Sequence, residues 1–296
     1  MNAVTKPVYD RAVEDLGNIV ELGHVNVTVP DQHLATLFYV SGLGLTRDPF
    51  LMTSTDNMWI NIGRAQFHLP TRPPQVVRGT TGLVVPDLDA LMVRLEKVAK
   101  PLEGTKFSYR ASNDTVETTC PWGNRIRLHA PDAARFGRIT LGMPYVECDV
   151  PKGTKLAGIA RFYTEILDGV AGVSEDAKGA YAWAGVGDGN RVLFRETSAK
   201  LPKFDGHHIQ ISLANFSRPH ALLAERGLIT EESDQHQYRF TDIVDVDTNK
   251  PLFTIEHEVR SMKHPMYARP LANRNPALTA RTYAPEWDHG RWSMPG

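Results

Sequence analysis

Four segments of the chain repeat one pattern. Residues 22–31 read LGHVNVTVPD, residues 79–87 GTTGLVVPD, residues 142–151 GMPYVECDVP and residues 204–213 FDGHHIQISL. In three of them polar and apolar residues alternate strictly. His24, Asn26 and Thr28 stand against Val25, Val27 and Val29; Tyr145, Glu147 and Asp149 against Val146, Cys148 and Val150; His208, Gln210 and Ser212 against Ile209, Ile211 and Leu213. Successive side chains of a strand point to opposite faces, so each segment reads as a strand with one apolar and one polar face.

A helical pattern follows each strand. The first is DQHLATLFYVSGLG and the second DLDALMVRLEKVAK, with Asp87 as its N-cap. The third is GTKLAGIARFYTEILDG, and the fourth, SRPHALLAERG, closes on Gly227. Short alternating segments come next, such as NMWINIG with AQFHLP, and AYAWAGVG with NRVLFRET across an Asp188-Gly189-Asn190 turn. The unit is strand, helix, three strands, repeated four times at a spacing of roughly 55–65 residues. The fold class is therefore α+β, built from βαβββ modules. One module leaves a sheet half-built, so modules must pair. Sequence order suggests that neighbours do so: modules one and two over residues 20–132, modules three and four over 139–260. A helical arm (1–19) and a proline-rich tail (261–296) flank them. Tyr267, Tyr283, Trp287 and Trp292 suggest that the tail docks, either over a cup mouth or as a dimer arm. A homo-oligomer is the expected assembly.

Composition narrows the function classes. A net charge of -1 leaves no electrostatic footprint for nucleic acid or an anionic membrane. Cys120 and Cys148 are the only cysteines, too few for a disulfide framework, which suits a reducing, cytoplasmic setting. No apolar run approaches the ~20 residues that span a bilayer. The Gly185-Val-Gly187-Asp-Gly189 run lies between two strands and reads as a hairpin turn, not a nucleotide loop.

The fourfold unit resembles the vicinal oxygen chelate superfamily, which holds glyoxalases, fosfomycin and bleomycin resistance proteins and two-domain extradiol dioxygenases. The stretch CPWGNRIRLHAP is similar to the Asp-Pro-x-Gly-Asn ending common there. The resemblance implies that paired modules curl into two cup-shaped barrels. Their convex faces lie under helices, and their concave faces carry metal ligands on the first and last strands of the modules. His207 and His257 then point away from the cups and are packed in the core.

On this reading His208, Gln210, Glu256 and Glu258 look into the carboxy-terminal cup, together with Tyr145 and Glu147. Several carboxylates and an imidazole in one poorly hydrated space repel or shift their pKa values unless a cation sits among them. Similarity to the extradiol enzymes carries the ligand positions to Tyr145, His208 and Glu256. Tyr145 stands where those enzymes have histidine, so Tyr145 is a ligand, Glu147 replaces it, or the iron chemistry is absent. The same resemblance gives His236 a proton-handling role, the alternative being a surface histidine beside Asp234 and Gln235. Glu147, Gln210, Glu258 and Arg260 are the candidate substrate contacts, with Arg260 either pairing with Glu258 or binding a substrate carboxylate. Fe(II) is the expected metal, with Mn(II) or Zn(II) as alternatives. The amino-terminal cup (His24, Asn26, Thr28, Gln66, His68, Thr80, Arg125, Arg127, His129) lacks a carboxylate at the expected positions. It reads as structural or at most anion-binding. The expected function is an extradiol-like dioxygenase that takes O2 and a small catechol-like substrate. The alternatives are a glyoxalase-like lyase or isomerase, or a small-ligand-binding protein without catalysis.

Overall fold

The four repeats appear as four βαβββ modules in a computed structural model, which describes residues 9–49, 51, 56–112 and 114–273. The first eight residues of the amino-terminal arm, and the tail from residue 274 with Tyr283, Trp287 and Trp292, lie outside the described residues. Module one comprises β1 (Ile19–Asn26), α1 (Gln32–Ala35) running on as a π-helical segment (Thr36–Gly42), β2 (Thr46–Arg47), β3 (Asn57–Ile62) and β4 (Ala65–Pro70). Module two has β5 (Gly79–Val84), α2 (Leu88–Ala99), β6 (Ser108–Ser112), β7 (Thr115–Thr119) and β8 (Arg125–His129). A short helix, α3 (Ala133–Phe136), leads to module three: β9 (Gly142–Pro151), α4 (Leu156–Glu165), β10 (Ala171–Asp176), β11 (Gly179–Gly185) and β12 (Arg191–Thr197). Module four has β13 (His208–Leu213), α5 (Ser217–Glu225), β14 (Ile229–Asp234), β15 (Gln237–Val244) and β16 (Pro251–Ser261).

The local signals act where the sequence carries them. The Asp31 and Asp87 carboxylates accept the backbone N–H groups of Leu34 and Ala90 at 2.9 and 2.8 Å, starting their helices. Gly227 takes a φ of +68° after α5, which lets Leu228 N–H reach the Leu223 carbonyl at 2.9 Å. The glycine run after β11 is a hairpin turn, closed by Val186 N–H on the Asn190 carbonyl at 2.9 Å.

Pairing of the modules departs from sequence order. One eight-stranded sheet runs β14-β15-β16-β13-β1-β4-β3-β2, the other β10-β11-β12-β9-β5-β8-β7-β6. Module one therefore joins module four through antiparallel β1 and β13, and module two joins module three through antiparallel β5 and β9. Successive modules do not share a cup, as the ranges 20–132 and 139–260 would require. The core explains this arrangement. The apolar faces of β1 and β13 are fully buried, and helices lie between the two sheets. On α4, Tyr163 meets Phe194 of β12 at 5.7 Å between ring centroids, and Phe162 meets Phe240 of β15 at the same distance. One helix layer thus serves both sheets, and a single hydrophobic cluster spans them.

The outward histidines are packed, as expected. His257 lies flat on Phe240, ring planes 8° apart, and its Nδ1 is 3.0 Å from the Ile255 carbonyl. An Nδ1–H donor there leaves Nε2 to accept the Tyr163 hydroxyl at 2.7 Å. His207 is buried with Nδ1 2.7 Å from the Asp205 carboxylate.

Candidate metal centre

Cross-pairing brings the amino-terminal and carboxy-terminal histidines together. On the concave face of the first sheet, one ring nitrogen each of His24, His68 and His208 falls within 4.8 Å of the others. Among the described residues this is the single group of histidines, cysteines and carboxylates close enough to hold a metal. The register builds it. Asn26 of β1 faces His68 on one side and His208 on the other, and His24 lies two residues back on the same face. The polar face of β13 is as buried as its apolar face, with His208, Gln210 and Ser212 all at most 5% exposed. It therefore faces an enclosed space and not bulk water.

Glu258 completes the group. Its carboxylate lies 3.4 Å from His208 Nε2 and 4.0 Å from His24 Nε2, and the two Nε2 atoms are 3.4 Å apart. Ligands about 2.1 Å from one ion at tetrahedral or octahedral angles stand roughly 3.0–3.4 Å from each other. The His24 and His208 imidazoles are thus already at ligand spacing. The other ring nitrogens are held from outside. His208 Nδ1 is 3.2 Å from Glu256, and His68 Nε2 is 2.7 Å from the Asn57 side-chain oxygen. An N–H donated outward leaves the opposite nitrogen with a free lone pair, the usual way a metal-binding histidine is oriented. Trp59 stacks on His68 at 3.8 Å and meets His24 edge-on at 5.0 Å, walling the pair.

Electrostatics favour ligation. Burial holds His24 well below its ordinary pKa and lowers His68 to about 3, so both are neutral at pH 7. Burial would raise Glu258, but the His208 hydrogen bond and the Arg260 charge outweigh it and hold the carboxyl well below its usual range. Neutral His24 and His68 and an ionised Glu258 are the protonation states a divalent ion needs.

The sequence-derived ligand set is redistributed. His208 and Glu256 are adjacent, as expected, with His208 6% and Glu256 21% exposed at the side chain. Glu256, however, faces Nδ1 and pairs with Arg239, so it supports the imidazole from behind while Glu258 faces the cluster. Tyr145 and Glu147 lie on β9 in the other sheet. There the Tyr145 hydroxyl is 2.9 Å from His129 Nε2, and Glu147 is 3.3 Å from Arg195. His24 and His68, assigned above to a structural cup, stand beside His208, where Tyr145 and Glu147 were expected. Gln210 and Arg260 line the cup beside His24. Arg260 pairs with Glu258 at 2.6 Å and donates to Gln237 at 3.0 Å. His236 sits in the turn between β14 and β15, where its backbone N–H bonds Asp234 at 2.6 Å, outside the histidine cluster.

The second cup has the same register as the first but not its histidine cluster. Register pairs β5 with β8 and β9, and β9 with β12, as β1 pairs with β4 and β13, and β13 with β16. The positions of His24, His68, His208 and Glu258 are there held by Thr80, Arg127, Tyr145 and Leu193. Arg127 is tied to Glu117 at 3.1 Å. A guanidinium, a phenol, a hydroxyl and a leucine cannot bind a divalent ion at pH 7.

Glu21 is a cup residue that strict alternation hides. Three positions before His24, it should face the opposite side. The pairing runs Glu21 with Ser212, Leu22 with Ile211 and His24 with Gln210, so Gly23 is an extra residue, a β-bulge. A Cβ on Gly23 would lie 1.8 Å from the Gln210 side-chain oxygen, so any other residue there must displace that buried amide. The bulge turns Glu21 inward, where it accepts the Ser212 hydroxyl at 2.9 Å. Burial raises its pKa, partly offset by Ser212 and the charges of Arg64 and Arg260.

Comparison with solved structures identifies the architecture. The chain is similar to glyoxalase I from Zea mays, with a TM-score of 0.57 and 13% identity over 81% of this chain and 92% of that one. It is also similar to a putative dioxygenase from Bacillus subtilis, with a TM-score of 0.55 and 14% identity over 84% and 87% of the two chains. No family model matches the sequence, and no curated protein matches it. The chain shares the fold of these two proteins, with paired βαβββ modules in two cups. No helix among the described residues is long and apolar enough to cross a membrane.

Proposed function

We propose that the protein is a metal-dependent enzyme acting on a small molecule that chelates through two neighbouring oxygens. Its metal is held by His24, His68, His208 and Glu258. The reaction we favour is a Lewis-acid isomerisation or lysis of the glyoxalase kind. The observation that carries this reading is the convergence of three imidazoles and one carboxylate. Four protein donors leave two of six octahedral positions. Two substrate oxygens fill both, and O2 would have no position beside them. An extradiol-type dioxygenase uses two histidines and one carboxylate with more positions open. It is the second reading, supported by the fold likeness to a putative dioxygenase, and requires one imidazole to stand aside.

A divalent ion in this site supplies a Lewis acid that polarises the chelated oxygens; Fe(II), Mn(II) and Zn(II) all accept such donors. The chain does the rest. Glu256 holds the His208 tautomer, and Trp59 walls His24 and His68. Arg239 joins Glu256 to Glu258. Gln210 and Arg260 line the cup where they would touch substrate.

Metal analysis of protein purified without chelator is the first test, and a metal-free protein that also binds no added Zn(II), Mn(II) or Fe(II) ends the reading. The loaded protein is then given catechols under Fe(II) with O2 uptake recorded, and hydroxyacetone in deuterated water with C–H exchange followed by NMR. Exchange without O2 uptake supports the favoured reaction; O2 uptake with ring cleavage replaces it with the dioxygenase.

A further inference from the structure

The cup is covered by its own chain. After β16, residues 262–273 turn back across the concave face. Met266, Ala268, Arg269 and Leu271 line the same small space as His24, Gln66, Gln210 and Arg260, and only about 20 Å³ of it remains open, room for a water and not for a substrate.

The covering segment is fastened at several points. Arg269 reaches Asp48 at 2.5 Å; that carboxylate is fully buried and also accepts Gln66 at 3.0 Å and the Leu51 N–H at 3.0 Å. The Ala268 backbone bonds Glu21, with Ala268 itself at a φ of +50°, a conformation that costs a non-glycine residue energy and persists only when its surroundings impose it. Asn273 and Gly63 exchange two hydrogen bonds of 3.1 and 3.0 Å, and Asn61 donates to the Ala272 carbonyl at 2.8 Å. The Met266 sulfur lies 3.6 Å from Arg260. All these partners are polar, and the segment adds little apolar area to the core. Fastenings of this kind open locally at far less cost than unfolding the domain.

We propose that residues 262–273 form a strap that gates the histidine cup, with the Arg269–Asp48 ion pair as its latch. The strap regulates the site named above and rests on that reading for its purpose. Its test needs neither metal nor substrate. Diethyl pyrocarbonate acylates neutral imidazoles that it can reach. In the metal-free protein, modification of His24, His68 and His208 is followed by mass spectrometry against His33, an exposed internal control. Wild type is expected to modify His33 quickly and the cup histidines slowly. Arg269→Ala is expected to speed the cup histidines about tenfold and leave His33 unchanged, and Arg269→Lys to restore protection. The double variant Asp48→Asn/Arg269→Ala removes both charges, avoids stranding a buried carboxylate, and is expected to behave like Arg269→Ala. Cup histidines that react at the wild-type rate in both the single and the double variant overturn the strap. Loss of metal binding in every assay would sink the enzyme reading and leave this result standing.

Discussion

His208 divides its two ring nitrogens between two carboxylates two residues apart on one strand. Nδ1 stands 3.2 Å from Glu256 and Nε2 3.4 Å from Glu258. The two glutamates share a face of β16 and an arginine, Arg239, yet only the second meets the histidine cluster.

That asymmetry predicts unequal effects on metal binding. Glu256→Gln is expected to weaken Zn(II) or Co(II) affinity by about 10–100-fold, the usual cost of losing an outer partner of a ligating histidine. Glu258→Gln removes a donor and is expected to cost more. Titration calorimetry of both variants, with circular dichroism as a folding control, distinguishes the roles; equal losses would mean that the two carboxylates are interchangeable.

Tyr145 supplies the complementary control. It lies in the sheet without the histidine cluster, hydrogen-bonded to His129. Tyr145→Phe is expected to leave metal affinity unchanged and to cost about 1 kcal/mol of stability, the worth of a typical side-chain hydrogen bond. A drop in metal affinity comparable to that of His208→Ala would return Tyr145 to the ligand set.

Gly23→Ala tests the bulge that turns Glu21 inward. The added methyl group would meet the Gln210 side chain at 1.8 Å, and Gln210 is fully buried. Either the amide moves or the strand loses its bulge, and overpacking of this kind costs about 1–3 kcal/mol. Urea denaturation measures the cost, and an unchanged midpoint would show that the strand accommodates alanine freely.

The pH dependence of folding carries a contribution from His257. Burial lowers its native pKa to about 3, against about 6.5 for an exposed histidine. Between those values the unfolded chain takes up a proton that the native chain refuses. Stability from this group is therefore complete above about pH 6.5 and falls as pH drops toward 3, by about 1.4 kcal/mol per pH unit. His257→Gln removes this proton uptake, so its stability is expected to fall less steeply over that window. Parallel curves for wild type and variant, measured by chemical denaturation at several pH values, would contradict the assignment.

Much of this was legible from residues alone, and the limits have physical causes. Alternation in GHVNVTVP and HHIQISL states which side chains share a face, and those faces are the ones observed. The resemblance to the extradiol enzymes put His208 and Glu256 side by side. Alternation is silent on which strand lies next to which, because β1 would present the same faces to β5 as to β13. The choice is made by α4 and the shared core, through contacts among residues far apart in sequence. Assigning His24 and His68 to one cup and His208 to another followed directly from that gap. Glu21 stayed hidden for a different reason: one glycine inserted into the strand reverses the facing of Leu22 and Glu21 before it, and Gly23 carries no mark beyond being a glycine.

The closing of the first sheet by β1 and β13 has a consequence for the chain as a whole. Two of the proposed donors come from the first seventy residues and two from beyond residue 207, with the whole second cup threaded between them. An ion bound there would act as a clasp joining distant stretches of the polypeptide. A cut in the connection between β8 and β9 would produce two fragments that each hold half of the donors, so that neither coordinates alone and reassociation becomes the event that creates the centre.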